Sequence, residues 1–113
     1  MIQPGVYNIT LQRRSDYSVL LDFKDANKAP IDLTGWTVAA QVWNQARSTK
    51  YADFSVEYVS RATGRVRLRL SRAATEGFPS ESVYDVLLVN NIGEHEYYLE
   101  GSIYTAESYT SVP

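Results

Sequence analysis

The chain has 113 residues, enough for one domain with a sizeable core, and its 44% hydrophobic and 21% charged content excludes a disordered polymer. A net charge of −2 and a pI near 5.3 give no electrostatic ground for nucleic acid or an anionic membrane as partner. With no cysteine, disulfides, thiolate metal sites and cysteine nucleophiles are excluded.

No apolar run approaches the roughly 18 residues that span a bilayer. Met1 to Gly5 lacks a basic region followed by an apolar one. The expectation is a soluble protein made in the cytoplasm without a secretory signal. Nine tyrosines suit a β-rich chain, because the ring packs on a pleated surface while the hydroxyl reaches a polar partner.

Alternation with period two runs through the sequence, and helical periodicity is almost absent. The first predicted strand covers Val6 to Arg13, with Tyr7, Ile9 and Leu11 on one face. A second covers Asp16 to Phe23, with Tyr17, Val19, Leu21 and Phe23 inward and Leu20 exceptional on the outer face. Lys24 to Pro30 reads as a turn, since Asn27 and Pro30 favour one. Trp36, Val38, Ala40 and Val42 point inward from the next strand, which leaves Trp43 outward.

Residues 44–52 read as a polar loop. Phe54, Val56 and Tyr58 then alternate with polar residues, and Ala62-Thr63-Gly64 makes a tight turn needing positive φ at Gly64. The return strand sets Val66, Leu68 and Leu70 against Arg65, Arg67 and Arg69. Three unpaired guanidinium groups cannot be buried, so that face is solvated, ion-paired or docked. Glu57, Glu96 and Glu100 are the expected complement.

Ser71 caps the one predicted helix, stopped at Gly77 and Pro79. Val83 to Val89 follows with Tyr84, Val86 and Leu88 inward, then a turn at residues 90–93. The last strand, Glu94 to about Glu107, places Tyr97, Leu99, Gly101 and Ile103 on one side. Glu96, Tyr98, Glu100, Ser102 and Tyr104 lie on the other. Residues 108–113 read as a frayed tail. The whole is one all-β domain over 1–113, with its core at about 6–107.

Motifs for catalysis are missing. His95, flanked by Glu94 and Glu96, has no second histidine near it and reads as a solvated residue at a turn. Asp16, Asp22, Asp25 and Asp32 lack the alternate-position pattern of a calcium loop and read as turn formers or outer-face acids. No serine sits in a nucleophile elbow and no glycine-rich phosphate loop occurs. The expectation is a non-enzyme without cofactor or metal. An enzyme, by contrast, requires a concave pocket with convergent polar groups.

Three segments, taken together, resemble a known family. They are Pro30-Ile31-Asp32-Leu33-Thr34-Gly35-Trp36 with Gln41 following; Thr63-Gly64-Arg65-Val66-Arg67-Leu68 leading to Ser71-Arg72-Ala73-Ala74-Thr75; and Tyr84-Asp85-Val86 closing with Tyr98-Leu99-Glu100-Gly101-Ser102-Ile103. This order is similar to the small immunoglobulin-like β-sandwich module of tailed-bacteriophage virion proteins, of the baseplate upper protein N-terminal type. The resemblance implies an antiparallel immunoglobulin-like sandwich of about seven to eight strands with one short helix. It also implies a non-catalytic structural role in the virion, in a tail, baseplate or head accessory component, through contacts with other virion proteins. A homo-oligomer remains open. Tyr84, two residues before Val86, is similar to the tyrosine corner of such sandwiches.

The candidate interaction surface is Trp43, Arg65, Arg67, Arg69, Tyr98 and Tyr104. The alternative is a carbohydrate-binding module, in which Trp43, Tyr98 and Tyr104 stack on a host-surface glycan.

Overall fold

A computed structural model describes residues 5–109. Residues 1–4 and 110–113, the ends of the expected domain and most of the expected tail, lie outside the described residues.

The alternating segments become β1 (Gly5–Val6), β2 (Ile9–Gln12), β3 (Tyr17–Asp22), β4 (Thr37–Trp43), β5 (Lys50–Asp53), β6 (Ser55–Ser60), β7 (Arg65–Leu70), β8 (Glu81–Val89) and β9 (His95–Ala106). One short helix, α1 (Arg72–Glu76), connects β7 to β8. The larger sheet runs β1-β9-β8-β4-β5, with β2 also on β9, and the smaller runs β3-β7-β6. The longer strands each have one oily side, and two sheets pressed together bury both sets. The fold is an all-β sandwich.

Between the sheets lie Phe23, Leu33, Val42, Val66, Val86 and Ile103, each with essentially no solvent contact. Ser71 starts α1 as expected, its hydroxyl accepting from the Ala74 N–H at 3.2 Å. Gly64 has φ +73°, and a Cβ there would lie 2.6 Å from the Ile31 carbonyl oxygen and 2.8 Å from that of Phe23. The turn therefore needs glycine twice over.

Four expectations are corrected. The first strand is two, because the chain breaks at Tyr7 and Asn8 and leaves Tyr7 exposed. Both pieces run parallel to β9, whereas all other strand pairings are antiparallel. The polar loop ends at 49, since Lys50 to Asp53 gain a partner in β4. A β-bulge interrupts β9: Val86 pairs Leu99 while Leu87 pairs Tyr97, so Tyr98 is the extra residue. The bulge resets the alternation, leaving Tyr97 exposed and turning Tyr98 inward.

Just before the expected tail, Arg13 and Arg14 each hold Glu107 at 2.8 Å. The fourth correction concerns the expected tyrosine corner. The Tyr84 hydroxyl donates at 2.6 Å to the Tyr7 carbonyl, on a distant part of the chain rather than a few residues upstream. It is a clamp on the N-terminal segment and not a tyrosine corner.

That clamp closes over Gly101. The Tyr7 N–H donates to the Glu100 carbonyl at 2.9 Å, and the Asn8 side chain accepts from the Ser102 N–H at 3.0 Å. A Cβ on Gly101 would collide with the Tyr7 carbonyl. We expect Gly101→Ala to destabilise the protein by about 1–3 kcal/mol through overpacking. The same substitution should free residues 5–12 from β9. Denaturant titration and amide hydrogen exchange over that segment check both outcomes.

Candidate functional site

Alternation on a free sheet face leads to exposed polar residues, and the smaller sheet follows this rule. Arg65 pairs Asp22 at 2.8 Å, and Arg67 and Arg69 both reach Glu57 at 3.4 Å. The Arg65 guanidinium holds the Asp22 carboxyl below the ordinary carboxylate range. Of the three expected acids, one is in place. Glu57 takes part, but Glu96 and Glu100 belong to the other sheet, and Asp22 on β3 takes their place. Leu20, opposite Arg67, is 45% exposed and no segment covers it among the described residues.

The outer face of the larger sheet departs from the rule. β8 carries Val83, Asp85, Leu87 and Val89 on its outward positions, and all four are half-buried. Ala39, Gln41 and Trp43 of β4 are half-buried as well. All of these except Val89, together with Asn8, Tyr97, Glu100 and Ser102, line a hollow of about 620 Å³. The loop residues Asn44 and Arg47 form one wall.

Trp43 is fixed at that wall. Its indole N–H donates to Gln41 Oε1 at 2.9 Å, and the Arg47 guanidinium lies over its ring, 5.1 Å from the centroid. Arg47 can reach it because the turn closes tightly: the Asn44 side chain accepts from the N–H groups of Ser48 and Thr49, and Arg47 adopts φ +57°.

On the floor, Asp85 stands directly opposite Glu100 in the β8–β9 ladder. Directly opposed side chains share a face, and like charges in that position repel. Burial pushes the Asp85 carboxyl above the ordinary carboxylate range, Glu100 adds to the rise, and Arg47 opposes it. Neither carboxylate has an ion-pair partner among the described residues. The floor holds negative charge that this chain does not neutralise by contact.

The six sequence candidates do not form one surface. Trp43 lines the hollow, and Tyr104, opposite Glu81 on β9, shares its sheet face but lies outside the hollow. Arg65, Arg67 and Arg69 occupy the opposite side of the sandwich. Tyr98 is removed from the surface: its ring meets Phe23 edge-on at 4.7 Å and its hydroxyl accepts from the Lys24 N–H at 3.0 Å.

Asp85, Glu100, Val83 and Leu87 were missed. One signal could have found the part on β8: apart from Asp85, Val83 to Val89 is apolar in both phases, the mark of a strand sheltered on both faces.

His95 is exposed at the start of β9, on the margin of the hollow. The four aspartates are separate. Asp16 accepts from the Arg72 N–H, Asp25 from those of Asn27 and Ala29, and Asp32 from that of Thr34, while Asp22 pairs with Arg65. Among the described residues no three His, Cys, Asp or Glu side chains gather as metal ligands. Among the described residues no helix is long and apolar enough to cross a membrane. No protein-family model matches the chain, and no curated protein matches it in sequence.

The raised Asp85 pKa fixes the sign of a pH effect. The folded state holds this proton more tightly than the unfolded one. The contribution to stability is full below the ordinary carboxylate value and is lost as pH rises through the folded value. Asp85→Asn should therefore stabilise the protein at neutral pH, and the difference from the parent chain should shrink as pH is lowered. Denaturation midpoints of both proteins across the acid range check this.

Proposed function

We propose that this chain is a non-catalytic structural module of a tailed-bacteriophage particle, binding another virion protein through the hollow of its larger sheet. The observation that carries the contact surface is the half-buried, partly apolar floor made by Val83, Leu87 and Trp43 where a free sheet face would be polar. Aromatic and aliphatic side chains around a few polar groups make an anchor pocket of the kind that dominates protein–protein affinity.

The phage part of the reading rests on the sequence resemblance. An immunoglobulin-like arrangement belongs to the same reading. In its support, one sheet holds β3, β7 and β6, and the other places β4, β8 and β9 side by side with β5 added at the edge.

Concavity and convergent polar groups are also what an enzyme requires. The non-catalytic reading is preferred because Asp85 and Glu100 are neighbours on one sheet face and point the same way. They do not flank a reacting bond from two sides. The hollow is also an open sheet face rather than a chamber that excludes water.

A second reading, glycan binding, is favoured by Trp43 standing beside the acceptors Gln41, Asp85 and Glu100. Tyr98, packed on Phe23, plays no part in it.

Mass spectrometry of particles purified from the source should find the chain as a structural component, and its absence there sinks the phage reading. In particles assembled with Trp43→Ala, incorporation should fall by about tenfold or more, the effect of losing an anchor. Retention on a glycan array at millimolar sugar, abolished by the same substitution, would transfer the surface to the second reading.

A further inference from the structure

The two outer faces of the sandwich complement each other. One has the hollow with Asp85 and Glu100 on its floor and apolar surface from Val83, Leu87 and Trp43 beside them. The other presents Arg67 and Arg69, which share the single carboxylate of Glu57 at 3.4 Å each, against 2.8 Å for the Arg65–Asp22 pair. Two guanidinium groups on one carboxylate leave positive charge over. Leu20 lies in the same row, directly opposite Arg67 and 45% exposed. One face thus offers an apolar side chain beside an excess of cations, and the other an apolar recess where Asp85 and Glu100 outnumber the guanidinium of Arg47.

We propose that copies of this chain associate head to tail, the hollow of one seating the Leu20–Arg67–Arg69 surface of the next. The proposal rests on reading the hollow as a contact surface and names its occupant as a second copy. Charge decides the orientation. A two-fold dimer joining hollow to hollow would set Asp85 and Glu100 against their own copies, and one joining the arginine rows would oppose cations. Like charges across an interface are strongly disfavoured. Only the unlike faces match.

The faces lie on opposite sides of one sandwich, so each copy retains a free face of each kind. Such a contact propagates into a ring if its rotation closes, or into a filament if it does not. Symmetric repetition then gives firmness to a contact that is modest singly.

Sedimentation equilibrium of the intact chain tests this. At low salt the mass should rise with concentration beyond a dimer, and raising NaCl from about 0.05 M to about 0.5 M should weaken association about tenfold or more. Glu100→Gln alters only the hollow, and Arg67→Gln with Arg69→Gln alters only the arginine face. These are exposed or half-exposed positions, and circular dichroism confirms that the variants fold. Each variant alone should associate about a hundredfold more weakly. An equimolar mixture should give a one-to-one dimer that grows no further, because one intact face of each kind remains.

A parent chain that stays monomeric to about millimolar concentration, a level at which even a weak specific contact registers, overturns the proposal. So does an oligomer indifferent to both substitutions, which indicates edge-strand pairing, or a mixture that forms no dimer. If the chain is monomeric while Trp43→Ala still lowers particle incorporation, self-association falls and the contact-surface reading stands with a different occupant.

Discussion

The register of β8 between β4 and β9 is the constraint on which both core and surface depend. β8 is hydrogen-bonded on both edges, and its side chains alternate between full burial on the inner face and half-burial on the open outer one. Tyr84, Val86 and Leu88 fill the space between the sheets, and Val83, Asp85 and Leu87 line the hollow. A slip of one residue would exchange the two sets, putting a carboxylate in the core and a tyrosine on the floor. The floor is therefore as strictly specified as the core, although it faces outward. Tyr84 adds to the specification by reaching across Gly101 to the Tyr7 carbonyl, which fastens β1 and β2 to the far side of β9.

Bulges then adjust what each face displays. In β9 the extra residue is Tyr98, and in β5 it is Tyr51, which lies inward near Phe78 with ring centroids 6.3 Å apart. In β6 it is Val59, left 44% exposed. An extra residue turns the next side chain to the opposite face, so each bulge converts a strict alternation into one with a phase change. Tyrosine suits such positions because its ring can be buried while its hydroxyl still finds a partner, as Tyr98 finds the Lys24 N–H.

What the sequence makes legible follows from these facts. The amphipathic strands, the Gly64 turn, the capped helix and the two-sheet class are written in short-range patterns, and these are the parts read from it. The bulge at Tyr98 is not written there. Tyr97 and Tyr98 are chemically identical, and only the pairing with β8 decides which of them turns inward. The site shows the same division. Trp43 and the arginine row can be read from alternation within single strands. The Asp85–Glu100 opposition depends on β9 lying beside β8, and the Asp22–Arg65 pair depends on β3 lying beside β7. Pairing order is a long-range property, which is why Glu96 and Glu100 were matched to the wrong sheet.

The distribution of ion pairs carries the functional argument further. Acids near sheet edges are matched within the chain: Lys50 holds Asp53 at 3.0 Å on β5, Asp22 holds Arg65, and Glu107 is gripped by Arg13 and Arg14. The acids at the centre of the larger sheet are not matched, and half-burial leaves Asp85 only partly screened by water. A lysine in place of Leu87 or Val83 on the floor would relieve the repulsion between Asp85 and Glu100, and the chain carries apolar residues at both positions. A like-charge pair held in a partly apolar recess costs the isolated module stability, and such a cost is characteristic of surfaces shaped for something other than water. Group chemistry narrows what that is: a cation with an apolar stem or neighbour. Of the surfaces on this molecule, the side bearing Arg67, Arg69 and Leu20 supplies it.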